Sequence, residues 1–400
     1  LLSKIRPSRR ILGIKGSATL RLAEEAELMK AKGIDVINLA IGEPDFDTPR
    51  YIKSRAIQAI RQGHTRYTVP SGILPLRKAI AARIRKGLDL NYGVDSILVS
   101  CGAKHAIYNI LNVLCDPGDE VLIPVPYWTS YPEMVRSIGA RPVFIRTMES
   151  EGFKLRPRQL YRHLTPRTKL LILNTPCNPT GAVYTWDELK ALADLIRRTR
   201  LLVLTDEVYE KFVYGRATHI SIASLPGMKG RTVVVSGVSK TYAMTGWRIG
   251  YAAGPAEIIS LAAALQSQST SNPATPSQYA ALAAIDSDQG CVKVMVKEYN
   301  TRRDYLIQRV AQLPGVRFNT PEGAFYLFPR VCKYYGARAG NILIKDSQTF
   351  SEALLRVARV AVTPGSAFGA DKHIRISYSV SMREIREGLD RIAGFLRGLG

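Results

Sequence analysis

The chain has 400 residues, 46% hydrophobic and 22% charged, and 56 Lys and Arg against 33 Asp and Glu give a formal net charge of +23. That length exceeds what one compact core usually holds, so one large and one smaller domain are expected. No run approaches the roughly 18 apolar residues of a membrane span, and the basic residues are dispersed (Arg83/Arg85/Lys86, Arg156/Arg158/Arg162, Arg302/Arg303), unlike those of a nucleic-acid-binding face.

The expectation is therefore a solvated basic surface whose field favours anionic ligands, with neither membrane nor nucleic acid as partner. The first residues carry Lys4, Arg6, Arg9 and Arg10 with no apolar stretch behind them, which does not read as a secretory signal. Five scattered cysteines, never in a CxxC spacing, and five unclustered histidines argue against a disulfide scaffold or a metal site and for the reducing cytoplasm.

Residues 20–32 place Leu22, Ala26 and Met29 at helical spacing before Gly33. The run IDVINLAIGEPDFDTP reads as a short strand and a turn, with Thr48 as N-cap and Pro49 opening a helix to about Gln62. After the turn-rich HTRYTVPSG a helix is expected from Pro75 to Arg85. Apolar strand candidates then recur at Ile97–Ser100, Val121–Pro124, Val143–Ile145, Leu170–Leu173, Leu201–Thr205, Thr232–Val235 and Ile249–Ala252, with helical patterns at 103–114, 129–138 and 187–199. Such alternation predicts an α/β fold: a mostly parallel seven-stranded sheet sandwiched by helices, with ligands beyond the strands' carboxyl ends.

Beyond about residue 290 the pattern changes. A helix near 292–312 leads to GVRFNTPEGAFYLFPRV, which alternates like an antiparallel strand pair. Helix 348–358, strands Val360–Thr363 and His373–Ser379, and a final amphipathic helix marked by Ile385, Leu389, Ile392 and Phe395 complete a smaller α+β domain. Both chain ends are expected to form it: residues 1–45 and 291–400 around a large domain of 46–290.

Several strand ends carry chemistry. Lys240 follows an apolar strand amid small residues, where desolvation lowers an amine's pKa and makes it a nucleophile. Cys101-Gly102-Ala103-Lys104 forms a glycine turn opening a helix, which suits a phosphate but equally a plain tight turn. Asp206, ending another strand, needs a cationic partner if buried, and Asn178 sits in the turn-rich NTPCNPTG.

The motifs SGVSKTYAMTGWRIGY, NTPCNPTG, LAIGEPDFDTP, PYWTSYPEM and PEGAFY together resemble class I aminotransferases of the aspartate aminotransferase group, fold-type-I enzymes of pyridoxal 5'-phosphate. The resemblance runs from about Ile11 to the C-terminus. It implies that Lys240 holds the cofactor covalently and then serves as general acid and base. Asp206 would bond the pyridinium nitrogen, Tyr209 and Asn178 the phenolic oxygen, and Trp128 would stack on the ring. Gly102, Ala103, Lys104, Ser239 and Arg248 would bind the phosphate, joined by Tyr67 from the neighbouring subunit, so that a homodimer shares its active sites. Arg375 would grip the substrate α-carboxylate, with Gly42, Trp128 and Asn178 lining the same site.

Ser236, Cys177 and Leu74 depart from residues common in the family, none at a catalytic position. The implied reaction is a ping-pong transamination between an L-amino acid and 2-oxoglutarate. Lys104 sits where some relatives place a cation for a distal carboxylate, which favours aspartate; aromatic amino acids or alanine are the alternatives. A lyase of the same fold is the rival enzyme. A transcription regulator with such a domain is the non-enzymatic rival, and about forty residues before the IGEPDF loop are too few for its winged helix.

Overall fold

The computed structural model describes residues 8–14, 16 and 18–399. Seven strands form the central sheet: β1 (Ile97–Ser100), β2 (Glu120–Val125), β3 (Arg141–Arg146), β4 (Thr168–Asn174), β5 (Leu202–Asp206), β6 (Thr232–Gly237) and β7 (Gly250–Ala253). Their spatial order is β1-β7-β6-β5-β4-β2-β3. Every neighbouring pair is parallel except those of β7, which runs antiparallel to both β1 and β6.

The unbroken apolar runs arise because both faces are covered. On β4, Leu170 and Ile172 pack with Val121, Ile123 and Leu204 beneath the helix Ala103–Leu114 through Ile107 and Ile110. Leu171 and Leu173 point the other way, joining Leu122 and Val203 against Leu189, Leu192 and Ile196 of the helix Trp186–Ile196. Each such fully buried side chain stabilises the fold by about 1.5–3 kcal/mol. No helix among the described residues is long and apolar enough to cross a membrane.

The two ends of the chain meet in the smaller α+β unit. Ile37–Asn38 pairs in parallel with Val360–Ala361, and Thr363–Pro364, Ile374–Ser377 and Tyr326–Leu327 form a three-stranded antiparallel sheet. The helices Gly290–Val310, Ser347–Ala358 and Met382–Arg397 bury Tyr299, Leu306, Phe350, Leu354, Ile385 and Leu389 against it. The last helix starts at a capping box, in which Ser381 Oγ accepts from Glu384 N and the Glu384 carboxylate accepts from Ser381 N.

Three expectations are corrected. Pro49, not Thr48, is the N-cap of Arg50–Arg61; the Thr48 hydroxyl instead donates to Ala243 O at 2.6 Å and accepts from Trp247 Nε1 at 3.0 Å, tying this turn to the loop after Lys240. The strand pair expected over GVRFNTPEGAFYLFPRV shrinks to Tyr326–Leu327 and a single Arg317–Arg330 bridge, because Gly323 N and Ala324 N bond to Gly181 O and Phe212 O instead of to a hairpin partner. The dispersed basic residues are not all solvated. Arg83 lies against Glu210 and donates to Gln289, and Arg302 is buried with ion pairs to Asp45 and Glu298. The Lys4 and Arg6 positions lie outside the described residues.

Candidate active site

The carboxyl edge of the sheet brings distant residues side by side. β4 ends at Asn174 and β5 at Asp206, paired in register, and Asp206 is in turn paired with Val235 of β6. Asp206 is only 4% exposed. Its Oδ2 accepts from the Tyr131 hydroxyl at 2.6 Å and its Oδ1 from Val208 N at 3.2 Å. Burial pushes its pKa up to about 6, with those two hydrogen bonds and the Lys240 charge holding it down and Glu207 opposing them.

The chain leaves β6, turns, and places Lys240 half-buried on the cleft floor. Its Nζ donates to Gly42 O at 2.6 Å. Burial lowers its pKa to about 8; Glu43 and Asp206 resist that shift, and the nearby Arg375 and Arg248 charges reinforce it. An amine of that pKa is about a tenth neutral at pH 7, far more than an ordinary lysine, and so is a competent nucleophile and base.

At the end of β1, Gly102 takes φ +87°, a left-handed conformation that a side chain would strain, and a Cβ there would lie 2.5 Å from Arg248 Nη2. The helix Ala103–Leu114 begins at this point without a side-chain cap or an acidic residue in its first turn. Arg248 closes the other wall, its Nη1 donating to Thr245 O at 2.9 Å. The Lys104 ammonium stands 5.1 Å from the centroid of the Trp128 ring, and burial, with Arg248 beside it, lowers its pKa. Among the described residues neither Arg248 nor Lys104 has an ion-paired carboxylate. Free helix amides and a guanidinium around a glycine turn fit a phosphate.

Arg375, on the strand Ile374–Ser377, is 3% exposed. Nη1 donates to Asn178 Oδ1 at 3.0 Å, and Nη2 to Ala40 O at 2.7 Å and Thr363 Oγ1 at 3.3 Å. Nε is buried with no hydrogen-bond partner among the described residues, and the guanidinium stacks 4.3 Å from the Tyr326 ring centroid. A buried cation with only neutral partners is costly unless an anion arrives to complete it. The site thus has a place for a carboxylate.

These groups share one cleft of 1120 Å³, lined by Gly42, Ala103, Lys104, Trp128, Asn178, Asp206, Tyr209, Ser239, Lys240, Arg248 and Arg375 among others. Gly102 and Tyr67 are not among the lining residues, and Tyr67 is 90% exposed. Sequence reasoning did not single out three cleft residues whose side chains brace Asp206, Asn178 and Tyr209. Asn174 donates to Asp206 O at 2.9 Å and accepts from Asn178 N at 2.8 Å. Tyr326 meets the Tyr209 hydroxyl at 2.7 Å, and Tyr131 holds Asp206. All three sit inside quoted motifs, as the first residue of NTPCNPTG, the last of PEGAFY and the second tyrosine of PYWTSYPEM; that was the available signal. The buried acid, the softened amine and the anion cradle also fit pyridoxal phosphate, whose ring nitrogen, aldehyde and phosphate need those three partners.

The family described as aminotransferase class I and II matches residues 34–392. The chain is 45% identical over 390 residues to the aspartate aminotransferase of Geobacillus stearothermophilus, covering 97% of this chain and 98% of that one. The crystal structure of the aspartate aminotransferase from Rhizobium meliloti superposes with a TM-score of 0.95 at 41% identity, covering 99% of this chain and all of the other. The Thermus thermophilus aspartate aminotransferase with maleate gives 0.91 at 39% identity, covering 98% of this chain and 100% of that one.

Proposed function

Because the chain belongs to the class I and II aminotransferases and transfers amino groups, we propose that it uses pyridoxal 5'-phosphate to move the amino group between L-aspartate and 2-oxoglutarate. The observation that carries this reading is the convergence of Lys240, Asp206 and Arg375 on one cleft. Bound there, pyridoxal phosphate supplies an electron sink that makes the substrate Cα–H acidic.

The chain's own residues do the rest. Lys240 Nζ would hold the cofactor at its aldehyde carbon and, once free, would take the proton from the substrate Cα. Asp206 would hold the ring nitrogen in its protonated form through its charge. Tyr209 and Asn178 would hydrogen-bond the phenolic oxygen, and Trp128 would cover one ring face. The backbone at Gly102, Ala103 and Lys104, with Ser239 and Arg248, would hold the phosphate and leave the Lys104 ammonium to the substrate. Arg375 grips the α-carboxylate with a fork that orients Cα toward Lys240, and Gly42 and Asn178 border that carboxylate. The keto acid leaves before the second substrate binds, which gives ping-pong kinetics.

Lys104 supports aspartate over neutral amino acids. Its ammonium lies beside Trp128 with no carboxylate paired to it among the described residues, as a partner for a distal carboxylate needs, and the Thermus structure is of the enzyme with the dicarboxylate maleate. We also propose a cytoplasmic homodimer, divided at residues 45/46 and 290/291 into small and large domains. Five free cysteines support the compartment. The exposed Tyr67 ring supports the dimer, as a residue reaching the cofactor phosphate of the neighbouring subunit.

Mixing the cofactor-loaded enzyme with single amino acids tests the substrate: aspartate and glutamate should bleach its visible absorbance, and Lys104→Ala should raise KM about tenfold for aspartate with little change for alanine. Bleaching by aromatic amino acids alone would remove aspartate from the assignment. Mixed dimers of Tyr67→Ala and Lys240→Ala chains should recover activity that neither parent has; no recovery removes the shared site.

A further inference from the structure

Among the buried side chains of the cleft to which the reading above gives no work, one touches the Asp206 carboxylate. Tyr131 is 1% exposed, yet its hydroxyl is not a passive core atom: it donates at 2.6 Å to Oδ2 of Asp206, the acid at the cleft floor. Among the described residues the other oxygen, Oδ1, has only the Val208 amide at 3.2 Å. Each oxygen therefore keeps a lone pair for a ligand, while two donors fix the plane of the carboxylate. The tyrosine's ring meets Trp128 edge to face, with centroids 5.3 Å apart and planes at 83°. The two residues lie in one turn, since Tyr131 N donates to Trp128 O at 3.0 Å, where the helix Ser130–Ser137 begins.

We propose that Tyr131 is a positioning residue for the ring of the cofactor, its hydroxyl aiming and keeping ionised the Asp206 carboxylate while its ring edge sets the plane of Trp128. This rests on the pyridoxal phosphate reading. The physical case is direct. Burial drives Asp206 toward its neutral form, and a neutral acid would not hold a protonated ring nitrogen. A hydroxyl donating to the carboxylate counters that tendency. Tyr131 can only donate here, because burial and the adjacent Asp206 charge push its own pKa far up. The edge-to-face geometry adds the second half: a quadrupole contact prefers one orientation, so the indole that covers the ring is indexed to the same residue as the acid beneath it.

The test compares cofactor-free wild type with Tyr131→Phe and Tyr131→Leu, titrated by tryptophan fluorescence with two ligands: pyridoxal phosphate and its analogue with a CH in place of the ring nitrogen. Wild type should prefer the nitrogen-containing ligand. Tyr131→Phe keeps the ring edge and loses the donor, so it should bind pyridoxal phosphate about tenfold more weakly and the analogue unchanged. Tyr131→Leu should weaken both ligands further by a common factor of about three. Equal losses of both ligands in Tyr131→Phe, or no loss, overturn the proposal by reducing the hydroxyl to packing. Equal affinity of Tyr131→Leu and Tyr131→Phe for the analogue overturns the Trp128 half. A wild type without preference between the ligands refutes the ring-nitrogen role of Asp206 itself, a separate failure. If these variants do not fold, Tyr131→His decides: its ring N–H can still donate to Asp206, so it should retain the preference for pyridoxal phosphate, and equal affinity for the two ligands overturns the proposal.

Discussion

Lys240 is held in the cleft at a cost to the fold, and replacing it with methionine should make the cofactor-free protein more stable. Its pKa falls from 10.5 to about 8, a difference corresponding to about 3 kcal/mol. The unfolded chain holds this proton up to the ordinary value while the folded protein releases it near 8. Between those pH values the unfolded state binds more protons, and stability rises with pH. Below pH 8 the full penalty is present. Against it stands the 2.6 Å hydrogen bond to Gly42 O, whose loss returns about 1 kcal/mol. Lys240→Met should therefore gain about 2 kcal/mol at pH 7, about 2 °C in melting temperature for a chain of this length. The gain should shrink to nothing, or reverse, by pH 10. Asp206, pushed up only to about 6, stays ionised over that range, so the difference between the two proteins isolates the amine. Calorimetry on both proteins, stripped of cofactor, from pH 7 to 10 measures it. A variant less stable than wild type at pH 7, or a difference that does not change with pH, would refute the reasoning.

Three more outcomes are expected. Arg375→Lys keeps the charge but loses the fork that reaches Asn178, Ala40 and Thr363, so kcat/KM should fall about 100-fold for every amino acid tested, about 3 kcal/mol; steady-state kinetics on aspartate and alanine check that the loss is common. Gly102→Ala places a methyl 2.5 Å from Arg248 in a left-handed backbone, and the affinity for pyridoxal phosphate should drop at least about tenfold, read by fluorescence titration. Glu207, fully buried, accepts from Thr205 Oγ1 at 3.0 Å, Ser221 Oγ at 2.7 Å and His219 Nε2 at 2.8 Å. Burial works against a charged His219, but the Glu207 charge and hydrogen bond outweigh it and raise its pKa. That stabilisation is present below the ordinary imidazole value and is lost as pH rises through the raised one. Glu207→Ala should cost about 3 kcal/mol and flatten this part of the melting-temperature profile.

Lys240, Asp206 and Gly102 were legible because each follows a fully apolar strand, and a polar residue at the end of such a strand has only the sheet edge to occupy. The family motifs then supplied roles for Asn178, Tyr209 and Arg375. Tyr131 and Tyr326 were not legible, although both lie inside those motifs. An aromatic residue packs equally well as core, and whether its hydroxyl meets a carboxylate or another hydroxyl is decided by segments far away in the chain: Tyr131 reaches Asp206, and Tyr326 reaches Tyr209. Thr48 shows the same limit for local rules. Its position suits an N-cap, but the carbonyl of Ala243 and the indole of Trp247 compete for the hydroxyl and win. The alternation in 315–331 likewise reports burial on two sides, not a hairpin, since the backbone of Gly323 and Ala324 is engaged by Gly181 and Phe212.

The reversed strand β7 sets an order in which the protein can be made. It lies between β1 and β6, and its Gly250 is the partner of Ser100. On the ribosome, β1 is synthesised long before that partner and has no neighbour in the sheet until β7 emerges. A nascent chain that stops short of residue 250 leaves an open strand edge, which invites association with other chains, and a phosphate cradle missing its Arg248 wall. Arg375 emerges later still. The cleft is therefore complete only near the end of synthesis, and no ligand that needs both Arg248 and Arg375 can be held before residue 375 has emerged.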